Sequence, residues 1–230
     1  MTTKLLLRAM DAALAAGEAI LAIYETDFRV DRKADDSPLT QADREAHRIL
    51  TERLAPTELP ILSEEGRHLA FDQRRNWHRF WLLDPLDGTK EFIKRNGEFT
   101  VNVALIEAQR PIAGVVYVPV HDILYYGNLD RGAFKLGSAQ AAWQAMRREG
   151  SNDPESMAKD LLQRSERLPI AAGRPKRFTI VGSRSHGGPE LEAIVSQKRA
   201  EHGDVDVISA GSSLKLCLVA EGRAHLYPRT

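Results

Sequence analysis

Cysteine is nearly absent. Cys217 stands alone in 230 residues, which excludes an intrachain disulfide framework and a thiolate-rich zinc site. Net charge is absent too. Lysine plus arginine and aspartate plus glutamate each total 32, a balance that gives no support to bulk attraction of a nucleic-acid polymer but permits local charged patches. No stretch approaches the roughly 18 apolar residues of a membrane span. The opening run MTTKLLLRAMDAALAAGEAILAIY is interrupted by Asp11 and Glu18 and continues at helical period, so it makes a poor signal peptide. A soluble cytoplasmic protein is the default, with peripheral contact at the inner face of a membrane left open. The length suits one domain or a close pair of subdomains around a sizeable core.

What is present is strongly patterned. Leu7, Met10, Leu14, Gly17, Leu21 and Tyr24 recur at spacings of three and four, one face of a long first helix. VDRKADDSPLTQAD reads as a loop or short hairpin, after which Thr40 and Asp43 open a second helix through about Leu54. LPILSEEG suggests a short strand ending in acids, and RFWLLD a strand stopped by Pro85. EFTVNVALIE, PIAGVVYVP, DILYYGN and RGAFKLG predict a run of antiparallel strands. Residues 138–176 change character, with abundant charge and two short helical patterns, and read as an atypical insert or linker. Beyond it, RFTIVGSRSH, ELEAIVSQKRA, DVDVISAG, SSLKLCLVAEG and RAHLYPR alternate as strand, helix, strand, helix and strand. The expected organisation is an α+β domain over 1–137, the segment 138–176, and an α/β unit over 177–230.

The chemistry concentrates in DPLDGT, residues 84–89. Asp84 closes a strand and Asp87 follows a proline turn, where a sheet can hold carboxylates rigidly at a cleft. Gly88 permits a sharp bend or close approach to a ligand. The first amides of a helix over KEFIKR would suit a phosphate. Oxygen-only ligands favour Mg²⁺ over zinc or copper. A plain turn, with both aspartates satisfying nearby amides, remains the alternative for this piece alone. Glu64 and Glu65 could be a solvated pair, and Thr40 with Asp43 nothing more than a helix cap.

Taken together, SPLTQAD, ILSEEG and DPLDGTKEF, in that order, resemble the inositol monophosphatase superfamily of Mg²⁺-dependent, lithium-sensitive phosphatases. WLLDPLDGTKEFIKRNGEFTVNVALI, GSRSH and GSSLKLCLVAEGRAHLYPR resemble its 3'(2'),5'-bisphosphate nucleotidase branch more closely. The resemblance implies a layered α-β-α-β-α sugar-phosphatase fold. It implies Glu64, Asp84, Asp87 and the Leu86 carbonyl as metal ligands, and Asp43 with Thr89 as the pair that activates a water, supported by Glu65. Glu64, Leu86, Asp87, Gly88 and Thr89 would also line the substrate, with the Gly88 and Thr89 amides on phosphate oxygens. Ser183, Arg184, Ser185 and His186, together with Ser212, Ser213 and Lys215, become candidates for holding the second phosphate or sugar. The implied partner is a small nucleotide, adenosine 3',5'-bisphosphate, hydrolysed to AMP and phosphate. The resemblance implies the sulfonated 3'-phosphoadenylyl sulfate as a second substrate, and the activity would recycle a by-product of sulfate activation.

One family element is not found. The pattern normally continues past LYPR into a WDTAAG-like motif whose aspartate is a further metal ligand, whereas this sequence stops at LYPRT. The last portion of the fold is therefore expected to be incomplete. Asp204 and Asp206 precede GSSLK on a strand and share a solvated face, so they do not replace that ligand. The nearest enzymatic alternative is an inositol monophosphate phosphatase, and the absent aspartate adds a second, a catalytically impaired nucleotide- or Mg²⁺-binding protein.

Overall fold

The computed structural model describes residues 2–32, 38–148, 153–170, 174–183 and 188–229, without the side chains of Arg32 and Pro38. They form two compact units, Met1–Glu166 and Arg167–Thr230.

In the first unit, α1 (Thr2–Tyr24) buries Leu6, Leu7, Met10, Leu14 and Ile20 on one side, the stripe its sequence period dictates. A short hairpin, β1 (Val30–Arg32) with β2 (Pro38–Thr40), leads into α2 (Gln41–Leu54). Then come β3 (Ile61–Ser63), α3 (Phe71–Arg74), β4 (Arg79–Asp87) and α4 (Thr89–Ile93). The meander β5 (Thr100–Glu107), β6 (Arg110–Val118), β7 (Ile123–Asn128) and β8 (Gly132–Gly137) follows, antiparallel throughout. With the two-residue β9 (Glu166–Arg167) the sheet runs in sequence order from β3 to β9. β3 lies parallel to β4, and β4 antiparallel to β5. Met10, Leu14, Ile20, Leu50 and Leu54 of the two helices share one core with Trp81, Leu105, Tyr117 and Leu124 of the sheet. Each fully buried Leu or Ile there is worth about 1.5–3 kcal/mol.

Several expectations change. Pro85 does not stop β4, which continues to Asp87. The register moves from Asp84↔Asn102 to Asp87↔Thr100, so Pro85 and Leu86 stand against the single residue Val101. Such a bulge is where a strand tolerates a residue without an N–H. The segment 138–176 holds α5 (Ala139–Arg148) and α6 (Pro154–Arg164). Trp143, Met146 and Leu161 enter the core of the first unit, and the division between units falls inside the segment, after Glu166. Asp11, the charge that interrupts the apolar run of α1, accepts from Trp143 Nε1 at 3.2 Å, Arg147 at 2.9 Å and Arg53 at 2.7 Å. It ties α1 to α2 and α5.

The second unit contains β10 (Phe178–Ser183), α7 (Pro189–His202), β11 (Val205–Ala210) and α8 (Leu214–Glu221). β10 and β11 pair in parallel, from Phe178↔Val205 to Ser183↔Ala210. RAHLYPR makes an isolated bridge, Ile180↔Leu226, in place of the strand its sequence suggests. Pro228 removes a ladder donor just beyond it. Among the described residues no helix is long and apolar enough to cross a membrane.

Candidate functional site

The site grows from the end of β4. After the bulge, Gly88 adopts φ 95°, ψ 42°, a left-handed conformation that glycine takes without strain. It turns the chain directly into α4, whose first residue is Thr89. That helix has five residues, shorter than KEFIKR suggests. It ends where Arg95, at positive φ, donates to the Tyr24 and Thr26 carbonyls at the end of α1.

Across from this turn stands the start of α2. Thr40 caps the helix, its hydroxyl accepting from Ala42 N at 3.2 Å. Asp43 Oδ2 accepts from Thr40 N at 2.7 Å and from Thr40 Oγ1 at 2.6 Å. Its other oxygen, Oδ1, accepts from Thr89 Oγ1 at 3.3 Å. Asp43 is only 1% exposed, so Thr89 is its route toward the surface of the site.

The acids form a second group. Glu64 N donates to Leu83 O at 3.1 Å, which brings the end of β3 beside Asp84. Burial, the charges of Asp87 and Glu64, and a hydrogen bond with Glu64 together push the Asp84 carboxyl up to about 8, against a smaller opposing effect of Asn102. Asp84 Oδ1 is buried without a hydrogen-bond partner among the described residues. Asn102 Nδ2 donates to Asp87 Oδ2 at 3.4 Å. Among the described residues no three carboxylate, imidazole or thiolate groups close into a metal cage. Glu64 and Asp87 act on Asp84 through their charges. Leu86 is buried within the bulge, and Glu65 is half-buried beside Glu64.

In the second unit, Ser183 ends β10 opposite Ala210. Ser212, at φ 42°, and Ser213 precede α8. Lys215 is buried, donates to Ser212 O at 2.6 Å and lies 5.5 Å from the centre of the Tyr227 ring. Arg184, Ser185 and His186 lie outside the described residues. Asp204 and Asp206 lie near Arg177 at 3.7 and 3.6 Å, both well exposed. Cys217 is buried.

Sequence reasoning passed over Asn102, His47 and Ser63. Asn102 had a signal, a polar side chain between Val101 and Val103 in an otherwise apolar strand. The bond between His47 Nδ1 and Ser63 Oγ, 2.8 Å, joins residues 16 apart in sequence and had none.

Comparison with known proteins gives the family. The inositol monophosphatase family matches residues 2–230. The 3'(2'),5'-bisphosphate nucleotidase CysQ of Salmonella typhimurium is 43% identical over 218 residues, covering 93% of this chain and 76% of that protein. The protein of the same description from Escherichia coli K12 is 41% identical with the same coverage. The crystal structure of CysQ from Bacteroides thetaiotaomicron, a bacterial member of the inositol monophosphatase family, matches with a TM-score of 0.82. It is 45% identical and covers 99% of this chain and 80% of that one.

Proposed function

This chain belongs to the inositol monophosphatase family, and we propose that it is a Mg²⁺-dependent phosphomonoesterase that removes the 3'-phosphate of adenosine 3',5'-bisphosphate. AMP and phosphate are the products, 3'-phosphoadenylyl sulfate is the second substrate, and the cytoplasm is the setting. Relatives at 41–45% identity that carry the CysQ name support the substrate.

The state of Asp84 carries the reaction class. A half-buried carboxyl beside two others, with one oxygen buried and unpartnered among the described residues and the acid form favoured, is a site that a hard cation relieves. Glu64, Asp84, Asp87 and the Leu86 carbonyl would hold Mg²⁺ through oxygen alone. When bound, Mg²⁺ supplies positive charge to the phosphate oxygens and lowers the pKa of a water.

The chain's own residues do the rest. Thr89 donates its hydroxyl proton to Asp43, leaving its lone pairs to accept from the attacking water. Asp43, anchored through its other oxygen by Thr40, is the proton's destination. Glu65 supports this pair from beside Glu64. The Gly88 and Thr89 amides hold phosphate oxygens, the left-handed Gly88 making the close approach feasible. The family resemblance is what makes Ser183, Arg184, Ser185, His186, Ser212, Ser213 and Lys215 the candidates for holding the second phosphate and the sugar.

Phosphate release from adenosine 3',5'-bisphosphate and from inositol 1-phosphate, each with and without Mg²⁺, tests this reading. Mg²⁺-dependent turnover should favour the nucleotide. Faster turnover of the inositol ester reassigns the substrate, and no Mg²⁺-dependent turnover of either overturns the enzymatic assignment.

A pH dependence follows from Asp84. Its carboxyl rises from the ordinary 3.8 to about 8 in the fold. Between those values the unfolded chain has released a proton that the metal-free fold retains, so native stability falls as pH rises across that window. A cation displaces that proton, so the gain in melting temperature on adding Mg²⁺ should be larger at pH 8.5 than at pH 6. Thermal denaturation at both pH values checks it, and equal gains would count against Asp84 as a ligand.

A further inference from the structure

A hydrogen bond outside the acidic group connects it to α2. His47 follows Asp43 by four residues on α2, a spacing that puts both side chains on one helix face. Its Nδ1 shares a 2.8 Å hydrogen bond with Ser63 Oγ. Ser63 is the last residue of β3, and Glu64 and Glu65 come next. The turn that carries them is tight. Gly66 N donates to Ser63 O at 3.1 Å, and a Cβ placed at Gly66 would stand 3.2 Å from that oxygen and 3.7 Å from His47 Cε1. β3 is a three-residue edge strand held on one side by β4. The His47–Ser63 bond holds its end on the α2 side.

We propose that His47 is a positioning residue: through Ser63 it fixes the Glu64–Glu65 turn against the helix that carries Asp43. The acids that follow β3 and Asp43 on α2 are thereby set at one distance from each other. This inference rests on the assignment of Glu64 as a Mg²⁺ ligand. A structural role alone is a poor account of the bond, because His47 is half-buried and lines an open cleft of about 340 Å³ with Ser63, Gly66, Arg67 and Trp77. Removing the ring enlarges a solvent cleft and opens no core cavity.

The test uses His47→Leu, which removes the bond at similar volume, Ser63→Ala, which removes it from the other side, and His47→Asn. The asparagine amide can occupy the place of Nδ1 and restore the bond. The first readout is the rise in melting temperature with Mg²⁺ alone; the second is the Mg²⁺ concentration for half-maximal turnover, set against kcat at saturating Mg²⁺. His47→Leu and Ser63→Ala should each raise the required Mg²⁺ about tenfold, the double variant no more than either, with His47→Asn within about threefold of wild type.

A His47→Leu protein with the wild-type Mg²⁺ titration overturns the inference, as does a His47→Asn protein no better than His47→Leu. If His47→Leu fails to fold, Ser63→Ala decides by the same criterion. Wild-type protein that shows neither a Mg²⁺ shift nor turnover instead refutes the functional assignment on which the inference stands.

Discussion

Asp87→Asn is expected to lower Mg²⁺-dependent turnover by more than about a hundredfold, beyond the usual cost of losing a group that only supports a ligand. The same change should raise the melting temperature of the metal-free protein at pH 8. Activity falls because the substitution removes one ligand charge at nearly constant volume. The fold survives because the asparagine carbonyl can still accept from Asn102, which donates to Asp87 at 3.4 Å. Stability rises because the Asp87 charge is a main cause of the elevated Asp84 pKa, second to burial. Without that charge the Asp84 pKa moves down, the native protein loses its proton at lower pH, and less stability is forfeited between pH 4 and pH 8. Phosphate release and thermal denaturation in a chelator measure the two effects. Turnover near the wild-type rate would refute Asp87 as a ligand, whereas an unchanged metal-free melting temperature would refute the electrostatic crowding.

Opposite signs for those two effects are what a site would give whose charges repel one another without a cation. Much of it was legible. The Thr40–Asp43 spacing announces the start of α2, and the sequence poses a choice between a helix cap and a functional pair. In the structure the two oxygens of Asp43 divide, Oδ2 closing the cap and Oδ1 accepting from Thr89. Periodicity exposed α1 and the antiparallel meander because both are governed by local alternation.

What stayed hidden depends on partners distant in the chain. The bulge at Pro85 is set by register against β5, and only the neighbour strand reveals that a proline fits there. The charge-rich 138–176 segment conceals Trp143, Met146 and Leu161, whose burial depends on α1 and the sheet. Asn102 looked like a single polar residue in an apolar strand until Asp84 was placed opposite it.

Gly17→Ala should destabilise the first unit by about 1–3 kcal/mol, through overpacking. Local propensity argues the other way, because alanine in a helix interior ordinarily gains about 1 kcal/mol over glycine. Geometry decides. A Cβ at Gly17 would stand 2.3 Å from Tyr117 Cε1, 2.5 Å from Cδ1 and 3.2 Å from Pro119 Cγ. Tyr117 has little freedom to move, being fully buried and donating its hydroxyl to Asp122 Oδ1 at 3.0 Å. The strain would also travel toward the site, since Tyr117 pairs with Val101, the residue that faces the Pro85–Leu86 bulge. Thermal denaturation should show a fall of several degrees for Gly17→Ala. Tyr117→Leu vacates the space beside Gly17, so adding Gly17→Ala to it should cost much less than in the wild type. A Gly17→Ala protein as stable as wild type would mean that the ring yields without cost, and the tight crossing of α1 over β6 would then constrain neither the helix nor the bulge.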